Sequence, residues 1–200
     1  MKTAVIFGTF NPVTNAHIAM GDFVRQKLQT ENEVCIIYVP AKTNFLKSWK
    51  GFSDQEILSD ELRLQLLTLA AEEHGFLVDD CELTGISDGK TFHTMEYLCK
   101  KYHLNPNETY LVFGADKLQE LNTWFRAKEL LETYQFVILS RGSYDMNFST
   151  NNCHMTFYQM DDKYADISAT RIRNYMKEKN WSMVKQYVPD CCFGILRERK

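Results

Sequence analysis

The stretch GTFNPVTNAH, from Gly8 to His17, decides the fold of this 200-residue chain. It follows the apolar run TAVIF and precedes the amphipathic segment IAMGDFVRQKL. A strand, a turn marked by Gly and Pro and then a helix form the corner where α/β folds bind phosphate, because the helix N-terminus offers unpaired N–H groups. Thr14 and His17 are three residues apart, so one helical turn places both side chains on one side, where we expect them to face a phosphate.

Two common phosphate-binding signatures do not occur at this corner. The sequence has no GxxxxGK[ST], which excludes a P-loop, and no GxGxxG, so dinucleotide binding in the manner of dehydrogenases is not expected. Gly8 still allows close approach of the main chain to a ligand. The alternative interpretation of His17 is a partly buried ring with one satisfied hydrogen bond.

Apolar runs that predict strands alternate along the chain with patterns that predict helices. Most of the runs are nearly continuous, which is typical of parallel strands covered on both faces. The order predicts an α/β fold with a Rossmann-like, open, mainly parallel sheet and helices on both faces. The predicted strands are 3–7, 33–40, 76–83, 109–115, 135–141 and, more weakly, 153–160. The predicted helices are 15–29, 59–75, 91–103, 126–134, 168–180 and 182–189.

The composition is that of a globular protein, with 44% hydrophobic and 24% charged residues and a net charge of -3. This charge gives no reason to expect a nucleic-acid or membrane partner. No linker or repeat interrupts residues 1–200, so we expect one domain. The chain has neither a signal-peptide pattern nor a membrane-span pattern, and a cytoplasmic location is expected.

The six cysteines predict neither a disulfide framework nor a metal site. No CxxC pair occurs, and no histidine lies at zinc-ligand spacing from a cysteine. We expect reduced thiols, the vicinal Cys191 and Cys192 included.

Two motifs carry a resemblance to a known superfamily. GTFNPVTNAH resembles the GGTFDPxHxGH signature of adenylyl- and cytidylyltransferases, with Thr14 and His17 at the two polar positions of [HT]xGH. ISATRIR, residues 167–173, resembles the ISSTxxR motif of the same superfamily. From the residues alone, this second motif predicts a helix start that Ser168 caps, with Arg173 one turn from Thr170.

Two further segments resemble the nicotinate-nucleotide adenylyltransferases. FGADKLQELNTWFRAKELL, residues 113–131, is similar to a family segment with IGAD, a Trp followed by an aromatic residue, and ELL. GKTFHTMEYL, residues 89–98, is similar to the PSYTxxTL segment, with Thr91 and Thr94 matching. The resemblance extends from about residue 2 to about residue 190.

The resemblance implies transfer of the adenylyl group of ATP to nicotinate mononucleotide, which yields deamido-NAD and pyrophosphate in NAD biosynthesis. The attacking phosphate is already ionised, so no general base is required. Mg²⁺ would accompany ATP and needs few protein ligands, and no metal-binding residues are predicted. The implied catalytic residues are His17, Thr14 and Arg173. The implied ATP-binding residues are Gly8, Thr9, Phe10, His17, Gly114, Asp116, Ile167, Ser168, Thr170 and Arg173. The implied acceptor-binding residues are Lys47, Lys90, Thr91 and Trp124.

Each of these residues has an implied contact. His17 would bond the α-phosphate, and the helix start at 168–173 would hold the β- and γ-phosphates. Asp116 would bond a ribose hydroxyl, Trp124 would stack on the pyridine ring, and main-chain N–H groups near Thr91 would receive the nicotinate carboxylate. The helical part from 167 to 200 would complete the ATP site.

The sequence departs from the family pattern at several positions. Phe7 replaces the first Gly of GG, where its ring either narrows the ATP entrance or points into the sheet packing. Asn11 replaces Asp, Ala16 replaces Gly, and Leu46 replaces the His of PPHK. Lys90 replaces an aromatic residue, and we expect it to favour the acid over the amide.

These departures leave alternatives open. One is a nucleotidyltransferase with another acceptor, such as nicotinamide mononucleotide, pantetheine phosphate or a sugar or polyol phosphate. Another is a nucleotide-binding module without activity. The sequence also leaves open whether the protein is a homo-oligomer.

Overall fold

A computed structural model of the protein describes residues 1–30, 33–43, 57–140, 154–164 and 167–198. Its centre is a six-stranded sheet in the order β3-β2-β1-β4-β5-β6. The strands are β1 (Lys2–Gly8), β2 (Val34–Pro40), β3 (Leu77–Val78), β4 (Thr109–Gly114), β5 (Gln135–Ser140) and β6 (Met155–Gln159).

The helices of the described residues lie between the strands and at the C-terminal end. They are α1 (Asn15–Leu28), α2 (Asp60–Glu72), α3 (Cys81–Thr84), α4 (Thr91–Tyr102), α5 (Ala127–Thr133), α6 (Ala169–Lys177), α7 (Trp181–Tyr187) and α8 (Asp190–Glu198). Short 3-10 helices span Pro106–Glu108, Ala115–Thr123 and Asp162–Tyr164. Within the described ranges, no helix has both the length and the apolar character needed to cross a membrane.

All strand pairs in the described part of the sheet are parallel, which confirms the predicted α/β sheet. β1 pairs with β2 on one side and with β4 on the other. The order of the strands therefore reverses at β1 and β4. Ligands of open α/β sheets bind outside the carboxyl ends of the strands at such a reversal. Gly8, at the end of β1, lies at this point.

Apolar side chains cover both faces of the sheet, as predicted. One face packs against α1, α2 and the C-terminal helices, through residues such as Val24, Leu66 and Leu196. The other face packs against α4 and α5, through residues such as Met95 and Leu130. Because both faces of the sheet are covered, the sequences of its strands are nearly continuous apolar runs.

The prediction of a strand over 76–83 is wrong beyond Val78. Asp79 is buried and accepts hydrogen bonds from the Cys81 N–H at 3.0 Å, the Lys101 ammonium at 2.8 Å and the Tyr102 hydroxyl at 2.8 Å. These bonds draw the chain out of the sheet and start α3.

The C-terminal helix α8 lies beyond the last predicted helix, which ends at residue 189. It packs on α2, where the Cys192 thiol lies 3.3 Å from the Leu66 carbonyl oxygen. Cys191 and Cys192 are free thiols, as are the other cysteines within the described residues, Cys35, Cys81 and Cys99. Cys153 lies outside those residues.

Candidate active site

The corner between β1 and α1 is built around a reciprocal pair of hydrogen bonds between Thr14 and His17. The Thr14 hydroxyl oxygen accepts from the His17 main-chain N–H at 3.3 Å, and the Thr14 N–H donates to His17 Nδ1 at 3.0 Å. This arrangement is a capping box in which a histidine takes the place of the usual Glu or Gln. Because Nδ1 accepts a hydrogen bond from a main-chain N–H, the neutral ring carries its proton on Nε2. The corner thus fixes His17 as an Nε2 donor.

Thr14 does not face outward beside His17 as expected. The residue is fully buried, and its hydroxyl is used within the capping box. Its effect on a phosphate would therefore act through the orientation of His17. Direct contact of Thr14 with a ligand stays a prediction.

Phe10 supports the corner from the core side. Its φ is +43°, and its ring is buried against the rings of His17, at a centroid distance of 5.1 Å, and Tyr38, at 5.6 Å. A Cβ on Gly8 would lie 2.7 Å from Cζ of Phe10, so only glycine fits there. Phe10 is predicted to contact ATP, but the whole residue is buried and presents no surface to a ligand.

Asn11 joins the corner to two other parts of the chain. Its side-chain oxygen accepts from the Leu58 N–H at 2.9 Å, and its carbonyl oxygen accepts from Nη1 of Arg173 at 2.9 Å. Arg173 is largely buried and also donates to the Thr170 hydroxyl at 3.0 Å. The two motifs that are far apart in sequence are therefore in direct contact.

The start of α6 has the cap that the sequence predicts. The Ser168 hydroxyl accepts from the Arg171 N–H at 3.2 Å, and Ile167 before it is buried. Thr170 is exposed in the first turn. Binding of phosphates by this helix start stays a prediction.

Arg63 of α2 contacts the same corner, and sequence reasoning missed it. Its Nη1 donates to the Thr9 carbonyl at 2.6 Å, and its Nη2 donates to the Ala41 carbonyl at 2.7 Å and to Asp60 at 2.5 Å. The side chain is fully buried. Burial lowers the pKa of Arg63 and the Asp60 carboxylate opposes that shift, but a guanidinium stays protonated in proteins. The signal in the sequence was an arginine on an apolar stripe, since positions 63, 66, 67, 70 and 71 are the buried face of α2.

The end of β4 lies beside the corner, because the register pairs Ile6 of β1 with Val112 of β4. A Cβ on Gly114 would contact the Asp116 carboxylate, so a larger residue there would force that side chain to turn away. The Asp116 carboxylate is about half exposed and lies 3.9 Å from the Lys117 ammonium. Asp116 is thus accessible at the predicted ligand edge.

Phe7 points into the sheet packing and does not narrow the ATP entrance, so the second of the two possibilities that the sequence leaves open is the one observed. Its ring stacks on Phe113 at 5.5 Å and 10°, and Phe113 meets the edge of Trp124 at 4.8 Å and 71°. Trp124 is partly buried. A row of three aromatic rings therefore runs from the end of β1 to Trp124.

The start of α4 carries a cluster of charged and aromatic side chains. The Lys90 ammonium lies 2.7 Å from Asp88 and 4.9 Å from the centroid of the exposed Phe125 ring. His93 also contacts Asp88, at 3.0 Å, and Thr91 begins the helix. Asp88, held by these partners, has its pKa lowered to about 2 despite the opposing effect of burial.

A buried carboxyl lies behind this cluster. Glu82 accepts from the Thr94 hydroxyl at 2.8 Å, and that hydroxyl lies 2.7 Å from the Ser87 hydroxyl. Burial raises the pKa of Glu82 to about 7, the nearby charge of Asp88 adds to the shift, and the bond from Thr94 opposes it. No pattern in the sequence singles out Glu82.

The profile of the cytidylyltransferase-like family matches residues 5–175. The chain belongs to this family. A probable nicotinate-nucleotide adenylyltransferase of Streptococcus pyogenes is 30% identical over 180 residues, 88% of this chain and 78% of the relative. One of Clostridium acetobutylicum is 26% identical over 207 residues, 100% of this chain and 98% of the relative. These relatives place the chain among the nicotinate-nucleotide adenylyltransferases of the cytidylyltransferase-like family.

A solved structure in the same family has the same fold. The nicotinic acid mononucleotide adenylyltransferase of Plasmodium falciparum, in complex with NaAD, superimposes with a TM-score of 0.67 at 18% identity. The superposition covers 97% of this chain and 94% of the other. It supports the fold described above.

All the predicted site residues except Lys47 lie within the described part of the chain. Asn11 of the corner is bonded to Arg173, while Lys90, which precedes Thr91 at the start of α4, contacts Phe125. Lys47, and Leu46 beside it, lie outside the described residues. Over the described ranges, no three or more His, Cys, Asp or Glu side chains are grouped so that they could hold a metal ion.

Proposed function

We propose that the protein transfers the adenylyl group of ATP to nicotinate mononucleotide, giving deamido-NAD and pyrophosphate. The observation that carries the proposal is the corner at the strand reversal, where main-chain bonding makes His17 an Nε2 donor. An imidazole N–H beside a helix N-terminus suits the negative charge of a phosphate. The relatives' names favour a pyridine mononucleotide as the acceptor.

The reaction requires alignment rather than proton removal. A phosphate oxygen of the mononucleotide attacks the α-phosphorus of ATP, a new P–O bond forms, and the bond to the bridging oxygen of pyrophosphate breaks. That oxygen leaves with the electron pair and is stabilised by cations. The Nε2–H of His17 would bond an α-phosphate oxygen as charge shifts toward pyrophosphate.

ATP would bind along the carboxyl ends of β1 and β4. Gly8 and Thr9 would line the corner, the buried Phe10 would support it from the core side, and Gly114 and Asp116 would contact the ribose. The start of α6, with Ile167, Ser168, Thr170 and Arg173, would receive the β- and γ-phosphates. The bond from Arg173 to the Asn11 carbonyl supports this grouping, because it fixes α6 against the corner. We extend the proposal to one domain of residues 1–200, with 167–200 completing the ATP site.

The pyridine mononucleotide would bind at the start of α4. The exposed and charged Lys90 and the N-terminal turn at Thr91 suit a nicotinate carboxylate, and Trp124 offers a ring for stacking. Lys47 would contact phosphates from the segment after β2.

Mg²⁺ would enter the site as MgATP, as part of the substrate. Its ligands would be phosphate oxygens, since magnesium is often bound through one or two carboxylates and substrate phosphates. The proposal includes a cytoplasmic location and neither a nucleic-acid nor a membrane partner, and it is compatible with a homo-oligomer.

Pyrophosphate release tests the proposal directly. MgATP is offered with nicotinate mononucleotide and, separately, with nicotinamide mononucleotide. Release with the nicotinate form is expected, and a loss of roughly 100-fold in His17→Asn, as is typical when one transition-state donor is removed. His103→Asn is the matched control, since His103 is exposed and its positive φ of 52° suits asparagine. No release with either acceptor would refute the proposed reaction.

A further inference from the structure

We propose that Arg63 is a positioning residue for the adenylyl transfer, holding the main chain at the ends of β1 and β2 in the shape that receives the phosphates of ATP. The inference rests on the proposed function, which places those phosphates at the corner. Arg63 itself would not touch the substrate, because its side chain is fully buried.

The guanidinium joins two segments that follow adjacent strands. Thr9 comes directly after β1, Ala41 comes directly after β2, and Arg63 donates to the carbonyl oxygen of each. The Ala41 N–H in turn donates to the Gly8 carbonyl at 2.9 Å. Loops at strand ends are ordinarily the most mobile part of a fold. Here a planar group with fixed donor directions sets the distance between two of them.

The direction of the carbonyl groups matters for an anionic ligand. A carbonyl oxygen carries partial negative charge and would repel a phosphate if it pointed at one. The Thr9 and Ala41 oxygens accept from Arg63, and on the far side of the corner the Asn11 oxygen accepts from Arg173. The two arginines therefore hold three carbonyl oxygens at this corner in fixed directions.

The buried charge also favours an anion at the corner. Arg63 is paired with Asp60, whose side chain keeps 24% of its surface exposed while that of Arg63 keeps none. Solvent screens the carboxylate more strongly than the guanidinium, because charges in the interior are screened least. A net positive potential under the Thr9 main chain is the expected result.

Packing alone does not explain an arginine at this position. The other buried positions of the stripe are Leu66, Leu67, Ala70 and Ala71, and a leucine or methionine would fill the space without desolvating a charge. Within the described residues, Nε of Arg63 has no hydrogen-bond partner. The side chain thus leaves one donor unsatisfied while its two Nη atoms bind the strand ends. The carbonyl groups at those ends therefore determine the orientation of the guanidinium.

The test compares Arg63→Met and Arg63→Lys with Arg25→Met. Arg25 is a matched control because it also pairs with an aspartate three residues away, Asp22, and donates to a main-chain carbonyl, that of His74 at 2.8 Å. It lies near the C-terminal end of α1, away from the corner. For each variant, thermal unfolding, equilibrium binding of MgATP without acceptor, and kcat and KM for both substrates are measured.

We expect Arg63→Met to lower kcat/KM for MgATP by roughly 10- to 100-fold, the range for a small misplacement of a catalytic group. MgATP binding should weaken as well, while KM for the mononucleotide stays near the wild-type value. Arg63→Lys should recover part of the loss, because it keeps the charge but not the two-carbonyl geometry. Arg25→Met should lower the melting temperature and leave both kcat/KM values unchanged.

Three outcomes would overturn the inference. One is wild-type kinetics and MgATP binding in a folded Arg63→Met protein. Another is an equal loss of affinity for both substrates that follows the loss of stability, as a purely structural arginine would give. If Arg63→Met does not fold, wild-type kinetics in Arg63→Lys would have the same meaning. Failure of the wild type to release pyrophosphate would refute the proposed reaction, and the MgATP binding comparison would still decide the effect of Arg63.

Discussion

At the scale of single residues, the nitrogen from which His17 can donate is determined by its main-chain hydrogen bond, and not by its position one turn from Thr14. A lone histidine has two neutral tautomers, and it can donate to a phosphate only from the ring nitrogen that carries the proton. The Thr14 N–H removes this choice by donating to Nδ1. The sequence predicts that Thr14 and His17 act together, but only the structure shows that the two residues form a capping box.

Lys90 is the residue expected to separate the acid substrate from the amide. Lys90→Met should lower the ratio of kcat/KM for nicotinate mononucleotide to that for the nicotinamide form by roughly two- to fivefold, the effect of a half-exposed charge worth up to about 1 kcal/mol. The effect is small because Asp88, 2.7 Å away, already compensates the ammonium.

Asp88→Asn provides the converse of the Lys90 experiment. It releases the ammonium from its carboxylate partner and should raise the same ratio, provided Lys90 faces the pyridine carboxylate. An unchanged ratio in Lys90→Met, with the wild type active on both acceptors, would remove Lys90 from the specificity site.

At the scale of elements, α3 and α4 are connected through one buried titratable group. Glu82 of α3 is bound to Thr94 of α4, and burial raises its pKa from the ordinary 4.5 to about 7. Between these two values, the folded protein holds a proton on Glu82 that the unfolded chain has released. The free energy of unfolding therefore falls as the pH rises through this window and stays level above it.

Glu82→Gln should abolish that pH dependence. Relative to the variant, the wild type should lose up to roughly 3 kcal/mol of unfolding free energy between about pH 4.5 and pH 7. Urea unfolding of both proteins at several pH values measures the difference. Glu72→Gln, at an exposed position of α2, controls for the loss of a surface charge. A constant difference between Glu82→Gln and the wild type at all pH values would contradict this, because it would mean that Glu82 has the same pKa in the folded and unfolded states.

The predictable elements are those whose signal is local. The predictions for the strands with long apolar runs, and for the starts of the capped helices α1, α2 and α6, agree with the structure to within one residue, since periodicity and caps are properties of neighbouring residues. The ends of α2 and α6 come three residues before the predicted ends. The strand at 76–83 failed because Asp79 finds its partners in α4, more than twenty positions away. Arg63 was missed for the same reason, because its partners are main-chain carbonyls that no side-chain pattern records.

At the scale of the whole molecule, the order of strands creates the site. The reversal at β1 and β4 brings Gly8 and Gly114 to one edge, and α6 is bound to that edge through Arg173. The alternation of strands and helices predicts such a sheet. It does not predict how the C-terminal helices return to α2, since that packing depends on contacts between distant segments.

The C-terminal helices should unfold together with the sheet. Leu196 of α8 is fully buried in an apolar cluster that also contains Leu66 of α2, Ile172 of α6 and Val112 of β4. Truncating Leu196 should therefore destabilise all four elements. Leu196→Ala should cost about 2–5 kcal/mol, which lowers the melting temperature by about 4–20 °C in a chain of this size. Arg197→Ala, exposed on the same helix, is the control.

The form of the Leu196→Ala transition tests the proposed single domain. Calorimetry should show one transition, shifted as a whole, with MgATP binding lost at the same temperature as the sheet structure. A cooperative unit gives this result because the helices and the sheet share one core, and two-state unfolding then involves every element. A separate early transition that removes only α6 to α8, with the far-side cluster around Met95 intact, would instead divide the chain into two units and leave the ATP site between them.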